Sequence, residues 1–367
     1  MPTSTPAPAV PFDSTRTPRA LGFSAPAEGC THEAVWLAWP SHADLWEDGL
    51  GEAQESFTGL ARAAADRDAA GVARGPHLHV CVPSDEADAA CAQALTGVPH
   101  TRHRQAFGDI WLRDTAPIFL RHADGRRASA VFRFNGWGGK YALPGDDDLA
   151  LRIARTHDFP IFEFPFVLEG GSIEVDGEGT VLTTRQCLLN ENRNPGAGQA
   201  TVEGWLAEAL GVERTLWVSE GLLNDHTDGH IDTIARFVAP GVALCMAPSG
   251  DDDPNAEVLL RIARELGEMT DARGRRLEVR TVPSPGLVLD AEGEIMPASH
   301  VNYLVTNTRV IVPLYATAYD DATLRAFEPL FPGRTVVGVQ AKAILEGGGA
   351  FHCISQQIPA PHDRSVR

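Results

Sequence analysis

The residue best suited to covalent chemistry is Cys353, which ends the sequence Glu346-Gly-Gly-Gly-Ala-Phe-His-Cys353. Three consecutive glycines lower stability unless the backbone must approach another group closely, and a bound ligand is the expected reason here. A cysteine is a good nucleophile near neutral pH when its pKa falls below about 8.5. The adjacent His352 or a cationic substrate can lower that pKa, so we expect Cys353 to be a nucleophile.

A second candidate is the segment 224–232, Asn-Asp-His-Thr-Asp-Gly-His-Ile-Asp, which combines two histidines with three aspartates. His226 and His230 have the spacing of two zinc ligands on a helix, but the Thr-Asp-Gly between them forms helices poorly. We favour a turn that runs into a strand, where His230 and Asp232 point to one side as an acid/base and a carboxylate. The alternative is a metal-dependent hydrolase whose ligands are His226, Asp228, His230 and Asp232.

Two further carboxylates stand beside small residues. Glu169 is followed by two glycines and is a candidate partner for His230, although a solvated loop is an equal alternative. Asp114 follows Arg113, so the pair could be structural. In the functional interpretation, Asp114 faces a ligand and Trp111 forms a flat wall beside it.

A thiol surrounded by three carboxylates suits a cationic electrophile. An ester or amide would develop negative charge during attack and would need hydrogen-bond donors. A guanidinium instead presents a fan of N–H donors that two carboxylates can hold, which leaves its central carbon open to a thiolate. Residues 134–140 (Phe-Asn-Gly-Trp-Gly-Gly-Lys) have neither glycine-rich phosphate-binding pattern, so nucleotide binding is not expected.

Short predicted strands, among them 77–82 and 301–306, alternate with predicted helices, among them 52–70 and 199–210. This alternation indicates an α/β fold. The 35 glycines and 26 prolines are spread throughout and divide it into many short elements. Five polar residues each stand beside small residues or proline close to a predicted strand, at intervals of 55, 61, 72 and 51 positions by subtraction: Asp114, Glu169, His230, Asn302 and Cys353. Five units of this size suit a ring whose strands deliver polar side chains to a central site.

Composition excludes several classes of function. The chain has 367 residues, with 31 Lys and Arg against 49 Asp and Glu and a net charge of -18, which disfavours nucleic acids and anionic membranes as partners. No window is apolar enough to predict a membrane span or a secretion signal, so a cytoplasmic protein is expected. The six cysteines contain no Cys-x-x-Cys pair.

Several motifs resemble those of the agmatine deiminase family, which includes the bacterial peptidylarginine deiminases. The motifs are Trp111-Leu-Arg-Asp114, Phe134-Asn-Gly-Trp-Gly-Gly-Lys140, Leu168-Glu-Gly-Gly-Ser172, Leu188-Leu-Asn-Glu-Asn-Arg-Asn-Pro195, Thr227-Asp-Gly-His-Ile-Asp232, Met296-Pro-Ala-Ser299 and Gly347-Gly-Gly-Ala-Phe-His-Cys353. The resemblance implies a pentein fold, a five-bladed α/β propeller with pseudo-fivefold symmetry. We expect a flexible tail over residues 1–20 and one catalytic domain over 21–367.

The resemblance also implies a role for each site residue. Cys353 is then the nucleophile, His230 the general acid/base and Glu169 its orienting partner, which also contacts the substrate. Asp114 and Asp232 are implied to hold the guanidinium. Agmatine would yield N-carbamoylputrescine and ammonia with no metal or organic cofactor, and a homodimer is expected.

Some positions depart from the family pattern and bear on the pocket around the substrate's tail. They are Gly29, where a Trp is frequent, Ala116, where a Gly is frequent, and His300, where a Tyr is frequent. A free or peptide-borne arginine is the closest rival substrate. A noncatalytic guanidine-binding protein of the same fold is a further alternative, against which the presence of all five polar site residues argues.

Overall fold

The computed structural model describes residues 16–362, and their strands form five sheets. In chain order the strands are β1 (Phe23–Ser24), β2 (His32–Ala38), β3 (His77–Val82), β4 (His100–Arg104), β5 (Ile118–His122), β6 (Arg127–Arg133), β7 (Ile161–Val167), β8 (Ile173–Val175), β9 (Thr180–Thr184), β10 (Arg214–Val218), β11 (Ala235–Ala239), β12 (Val242–Ala247), β13 (Glu278–Pro283), β14 (Leu304–Val305), β15 (Arg309–Leu314), β16 (Thr335–Gln340) and β17 (Gln356–Pro359).

The helices lie between these strands. They are α1 (Ala43–Trp46), α2 (Leu50–Ala65), α3 (Asp85–Ala94), α4 (Leu112–Thr115), α5 (Gly136–Gly139), α6 (Leu149–Ala154), α7 (Arg185–Leu188), α8 (Gln199–Leu210), α9 (Ala256–Glu268), α10 (Asp320–Phe327) and α11 (Lys342–Glu346). Among the described residues, no helix is both long enough and apolar enough to cross a membrane.

Each sheet repeats one pattern. A first strand pairs antiparallel with a second, and the second pairs parallel with a third, as in β8–β9–β10, β11–β12–β13 and β14–β15–β16. A parallel pair needs a crossover connection, and a helix supplies it: α8 links β9 to β10, and α9 links β12 to β13. Helix α9 buries Val258, Leu259, Ile262 and Leu266 on one side, which is the amphipathic spacing expected of a covering helix.

The fifth sheet joins the two ends of the chain. Its strand order is β17–β2–β3–β4, so the last strand pairs antiparallel with one of the first, with Gln356 opposite Trp36. This pairing closes the ring of five sheets. Because β2 and β17 hold each other in one sheet, we propose that residues 21–362 fold as one domain.

In each sheet, a polar residue in a turn or a short helix stands just before the strand that begins the antiparallel and parallel pairing described above. Asp114 precedes β5, Glu169 precedes β8, His230 precedes β11, Asn302 precedes β14 and Cys353 precedes β17. The repeat predicted from their spacing therefore corresponds to the blades of a five-bladed α/β propeller. Since equivalent positions of the five blades meet at the centre of a ring, the fold brings these residues together.

Some predicted elements differ from the observed ones. A helix predicted over 52–70 ends at Ala65, because Asp66 takes a left-handed backbone with φ 36° and pairs with Arg74 and Arg309. A strand predicted over 301–306 is reduced to Leu304–Val305, because the Asn302 side chain bonds to the backbone N–H of Cys353.

The predicted turn-to-strand path through His230 and Asp232 is also wrong. Asp228 and Gly229 have positive φ values, and a 3-10 turn over Ile231–Thr233 follows before β11 begins. His230 and Asp232 reach the same centre through this turn and do not share a strand face.

The predicted N-terminal tail lies only partly within the described residues. Residues 1–15 are outside them, and the expectation there stays a prediction. Thr17 is buried and its hydroxyl donates a hydrogen bond to Glu208 at 2.7 Å, so contacts with the propeller begin before the predicted boundary at residue 21.

Candidate active site

A cavity of about 250 Å³ opens at the centre of the ring. Three of the predicted site residues line it: Cys353, Asp114 and Trp111. The rest of its lining is Leu45, Trp46, Asp109, Trp137, Tyr141, Leu143, His226, Thr227, Glu346, Gly347 and Gly348. The other predicted residues, Glu169, His230 and Asp232, are buried one layer beneath this lining.

Gly171 explains how these two layers meet. A Cβ built on Gly171 would lie 2.6 Å from His230 Nδ1 and 3.0 Å from Asp114 Oδ1. It would also lie 3.1 Å from Asp232 Oδ2. Only glycine fits there, so the second glycine after Glu169 allows three polar side chains to converge.

Cys353 is 6% exposed and its sulfur has two polar neighbours. Asn302 Nδ2 donates to Sγ at 3.1 Å, and Sγ lies 3.5 Å from Asp232 Oδ2. Burial, reinforced by the charges of Asp232 and Asp114, raises the pKa of the Cys353 thiol well above its usual value. Without a bound cation the sulfur is therefore a thiol.

His230 is fully buried between two carboxylates. Its Nδ1 lies 3.8 Å from Asp114 Oδ2, and its Nε2 lies 3.7 Å from Glu169 Oε2. Neither ring nitrogen has a hydrogen-bond partner within the described part of the chain. Burial disfavours the charged ring, but the Asp114 carboxylate and contacts with Cys187 and Glu169 outweigh it and raise the pKa of His230 well above its usual value. The raised pKa favours the protonated ring at neutral pH.

Glu169 has two further contacts besides His230. Arg193 Nε donates to its Oε1 at 2.7 Å, and the Cys187 sulfur lies 3.9 Å from its Oε2. Burial alone would raise the pKa of Glu169, but contacts with His230 and Arg193 lower it below its usual value. Glu169 is therefore a fixed negative charge behind the histidine.

Asp114 and Asp232 are both buried, yet their environments differ. Asp114 accepts hydrogen bonds from the Gly171 N–H and from Trp137 Nε1, each at 2.8 Å, and burial raises its pKa. Asp232 Oδ2 lies 2.7 Å from His352 Nδ1, whose contact overcomes the effect of burial and lowers the pKa of Asp232. Asp232 Oδ1 is buried with no hydrogen-bond partner in the described chain.

A buried ionic network lies behind His352 and consists of Glu28, Arg113, Glu174, Arg236 and His352. Glu28 Oε1 lies 2.6 Å from His352 Nε2 and 2.9 Å from Arg113 Nη1, and its Oε2 accepts from Arg236. Arg236 also donates to Glu174 at 2.7 Å. Burial would raise the pKa of Glu28, but these cations hold it well below its usual value. Through His352, this network fixes the orientation of Asp232.

Sequence reasoning assigned no chemistry to several residues that complete the site. Asn302 was visible only as a member of the repeat, yet its amide bonds to the Cys353 sulfur. Trp137 and Arg193 lie in motifs noted for their resemblance, and no local pattern shows that they contact Asp114 and Glu169. Glu28 was visible only as the residue before Gly29.

The three residues that differ from the family pattern do not line the cavity. Among the residues that line it, none is Gly29, Ala116 or His300. His300 is fully buried, with its Nε2 3.2 Å from Asp320 Oδ1. The shape of the cavity is therefore set by other residues.

Two groups of buried side chains place possible metal ligands within 4.8 Å of one another: Glu169, Cys187 and His230, and Glu28, Glu174 and His352. Arginines already pair with the carboxylates of both groups, through Arg193 in the first and Arg113 and Arg236 in the second. The four residues of the metal alternative are not brought together in the described chain. Asp228 instead pairs with Lys140 at 2.6 Å, and His226 lines the cavity mouth.

Comparisons with known proteins agree with this architecture. The model of the Porphyromonas-type peptidyl-arginine deiminase family matches residues 24–359. The agmatine deiminase of Stutzerimonas stutzeri is 36% identical over 374 aligned positions, which cover 95% of this chain and 99% of that protein.

Solved structures show the same fold. The structure of agmatine deiminase of Enterococcus faecalis superposes with a TM-score of 0.87 at 34% identity and covers 97% of this chain and 100% of that one. A substrate-bound cysteine-to-serine variant of agmatine deiminase from C. jejuni superposes with a TM-score of 0.81, covering 92% of this chain and 96% of that one. At 24% identity, the C. jejuni protein supports the fold alone.

A five-bladed α/β propeller with a cysteine, a histidine and carboxylates around its axis defines the pentein class of guanidino-group modifying enzymes. Within that class, the chain belongs to the Porphyromonas-type peptidyl-arginine deiminase family.

Proposed function

We propose that this protein hydrolyses the guanidinium group of agmatine to N-carbamoylputrescine and ammonia. The observation that carries the proposal is the composition of the central cavity. Its lining includes a thiol and the carboxylates of Asp109, Asp114 and Glu346, and none of the described lining residues is a lysine or an arginine. Such a cavity suits a substrate that is cationic at both ends and offers no partner to the carboxylate of free arginine.

The guanidinium would lie between Asp114 and Asp232. The unpartnered Asp232 Oδ1 is a buried acceptor that needs a donor, and guanidinium N–H groups supply donors with a positive charge. The bound cation also reverses the effect of the two carboxylates on Cys353. Since a neighbouring positive charge stabilises a thiolate, substrate binding lowers the pKa of Cys353 that burial had raised, and the thiol proton is released to solvent.

The first half of the reaction then follows from the geometry. The Cys353 thiolate forms a bond to the guanidinium carbon while Asn302 Nδ2, 3.1 Å from the sulfur, keeps it directed toward that carbon. Protonated His230 gives its proton to the departing nitrogen, the C–N bond breaks and ammonia leaves. The product of this half is a covalent amidino-thioether on Cys353.

The second half regenerates the enzyme. His230, now neutral, removes a proton from water, and the resulting hydroxide adds to the amidino carbon. The C–S bond breaks, the thiolate of Cys353 leaves, the added hydroxyl group loses its proton to solvent and the ureido product is released. Glu169 stabilises the protonated ring in both halves, which is why it must remain ionised beside Arg193.

The proposal is tested by measuring ureido product and ammonia from agmatine, free arginine and a peptide with C-terminal arginine in parallel. We expect turnover of agmatine alone, and no turnover by Cys353→Ala. Turnover of the peptide instead would assign the protein to peptidylarginine deimination. A folded protein inactive on all three would contradict the proposal.

The remaining expectations about the whole protein are part of the same proposal. The net charge of -18 supports a small cationic substrate and no nucleic-acid or membrane partner. A homodimer and a cytoplasmic location stay predictions from the sequence. Light scattering of the purified protein would measure the oligomeric state.

A further inference from the structure

Asp109 is a carboxylate in the cavity wall that the proposed mechanism does not use. It is 7% exposed and lines the same cavity as Cys353. Two indole N–H groups hold it: Trp46 Nε1 donates to Oδ1 at 3.0 Å and Trp111 Nε1 donates to Oδ2 at 2.7 Å. The two indoles lie nearly parallel, with ring centroids 6.2 Å apart. The carboxylate is thus clamped in one orientation by neutral donors.

No cation of the described chain pairs with this carboxylate. Among residues 16–362, neither a lysine nor an arginine forms an ion pair with Asp109, and the main influences on its pKa include one basic side chain, His42. A second buried carboxyl, Asp146, interacts with Asp109, and burial together with the Asp109 charge raises the pKa of Asp146 to about 7. Burial likewise raises the pKa of Asp109. A buried charge without a counter-ion is costly, and a ligand cation would remove that cost.

The Trp111 ring connects Asp109 to the reacting sulfur. A Cβ built on Gly349 would lie 2.8 Å from Trp111 Cζ3 and 3.0 Å from Cys353 Sγ. One edge of the indole is therefore beside the thiol, while the N–H on its opposite edge binds Asp109. The carboxylate and the thiol therefore lie near opposite edges of the same indole and line the same cavity.

Glycine at position 347 allows this arrangement. A Cβ on Gly347 would lie 2.6 Å from Trp46 Cη2 and 2.9 Å from Trp111 Cζ2, so any side chain there would separate the two indoles. The glycines before Cys353 therefore admit the tryptophan wall as well as the thiol.

We propose that Asp109 is the specificity-determining residue that binds the ammonium group at the tail of the substrate, held for this purpose by Trp46 and Trp111. This rests on the proposed function, because it assumes a guanidine substrate with a cationic tail. The adjacent indole rings also favour an ammonium group through their negative faces. The tail recognised is an amine, and a neutral or anionic tail leaves Asp109 without a counter-ion.

Glu346 is the competing carboxylate of the cavity, but it is exposed at the mouth. An exposed carboxylate is screened by water and salt, so its attraction for a cation is small. Asp109 acts from a buried position, where the same charge interacts more strongly. The two residues therefore form a matched pair for experiment.

The test measures binding by calorimetry in a Cys353→Ala background, which needs no turnover. The ligands are agmatine and pentylguanidine, in which a methyl group replaces the ammonium. We expect Asp109→Asn to weaken agmatine binding about 30-fold or more and to change pentylguanidine binding by less than about threefold. Glu346→Gln is expected to change the binding of either ligand by less than about threefold.

A third variant tests the position of the Asp109 carboxylate separately from its charge. Trp46→Phe removes one of the two donors that hold Asp109 but keeps its charge, so it should weaken agmatine binding more than pentylguanidine binding, and by a smaller factor than Asp109→Asn does. Equal losses for the two ligands in Asp109→Asn, or a selective loss in Glu346→Gln, would overturn the inference, as would failure of agmatine to bind. Failure of the proposed function would appear separately, as absence of ammonia release from agmatine by the enzyme with Cys353 intact.

Discussion

Two groups of buried charge lie on either side of Asp232, and they are built in opposite ways. In the ionic network of Glu28, Arg113, Glu174, Arg236 and His352, every carboxylate contacts an arginine. On the cavity side, neither Asp109 nor Asp114 contacts a lysine or an arginine of the described chain, and both accept hydrogen bonds from neutral donors. The basic group nearest Asp114 is the His230 ring at 3.8 Å, whose nitrogens have no hydrogen-bond partner in the described chain.

The difference distinguishes charges that hold the fold from charges that await a substrate. A paired buried charge is satisfied before any ligand arrives, so it can fix the positions of other groups. An unpaired buried charge destabilises the protein until a cation binds. Binding of that cation then changes the electrostatic environment of the neighbouring groups. Asp232 belongs to both groups, since Oδ2 contacts His352 and Oδ1 is unpartnered.

The largest effect is expected for Asp114→Asn. It removes one of the two charges proposed to hold the guanidinium, so kcat/KM for agmatine should fall about 10³-fold. Because burial raises the pKa of Asp114, its charged form destabilises the folded state at neutral pH, and the variant should be about 1 kcal/mol more stable. Enzyme assays and urea unfolding measure the two effects. A less stable variant would show that Asp114 belongs with the paired charges.

Glu28→Gln should have the opposite effect on stability. It leaves Arg113 and Arg236 without their shared carboxylate in a buried position, so unfolding free energy should fall by about 3–5 kcal/mol. The pKa of Glu28 is lowered, so its contribution is present above the ordinary pKa and is lost as pH falls through the folded-state pKa. Unfolding at neutral pH tests this, with surface Glu33→Gln as control. An unchanged unfolding midpoint would contradict the expected role of the network.

The reactivity of Cys353 tests whether the cavity awaits a cation. Because its thiol pKa is raised in the free protein, we expect a neutral reagent, iodoacetamide, to alkylate Cys353 slowly at a pH of about 7.5. A cationic haloacetamidine would bind between the carboxylates and should react at least about tenfold faster. Mass spectrometry of the modified protein gives both rates. Equal rates would show that the carboxylates do not act on the thiol.

The smallest effect is on the pH dependence of stability and concerns His79 on β3, which belongs to neither group of buried charge. Its Nδ1 is 2.9 Å from His103 Nε2, and its ring stacks on Trp36. Burial and the neighbouring histidines lower the pKa of His79 from 6.5 to about 3. The unfolded chain therefore binds a proton that the folded chain does not, and stability should fall as pH falls from 6.5 toward 3. His79→Gln should weaken this dependence in melting curves, and His100→Gln should not. Identical curves for the two variants would refute the assignment.

Sequence patterns were most reliable where a feature is local or repeated. The predicted strand over residues 77–82 and helix over 199–210 match β3 and α8, because β-branched runs and helical spacing lie within each segment. The five polar residues before successive strands predicted the ring. They recur at similar intervals because the five blades are of similar size, so the repeat is visible in the sequence itself.

Patterns failed where a residue's conformation depends on a distant partner. Strand β17 was not predicted, because the four residues Gln356–Pro359 form a strand only through pairing with β2. The path through His230 was wrong for a similar reason. The positive φ values at Asp228 and Gly229 bend the chain where Lys140 and Arg193 bind the Asp228 carboxylate.

The chemical types available at the centre of the ring could be read from the chain alone: a thiol, an imidazole and carboxylates, in positions that recur along it. Which of those charges are paired became visible only in the folded molecule. Glu28 and Asp109 are both acidic residues in the sequence, yet one contacts two arginines and the other contacts two indoles. They differ because a carboxylate's energy depends on burial and on neighbours within a few ångströms, and those neighbours come from different blades.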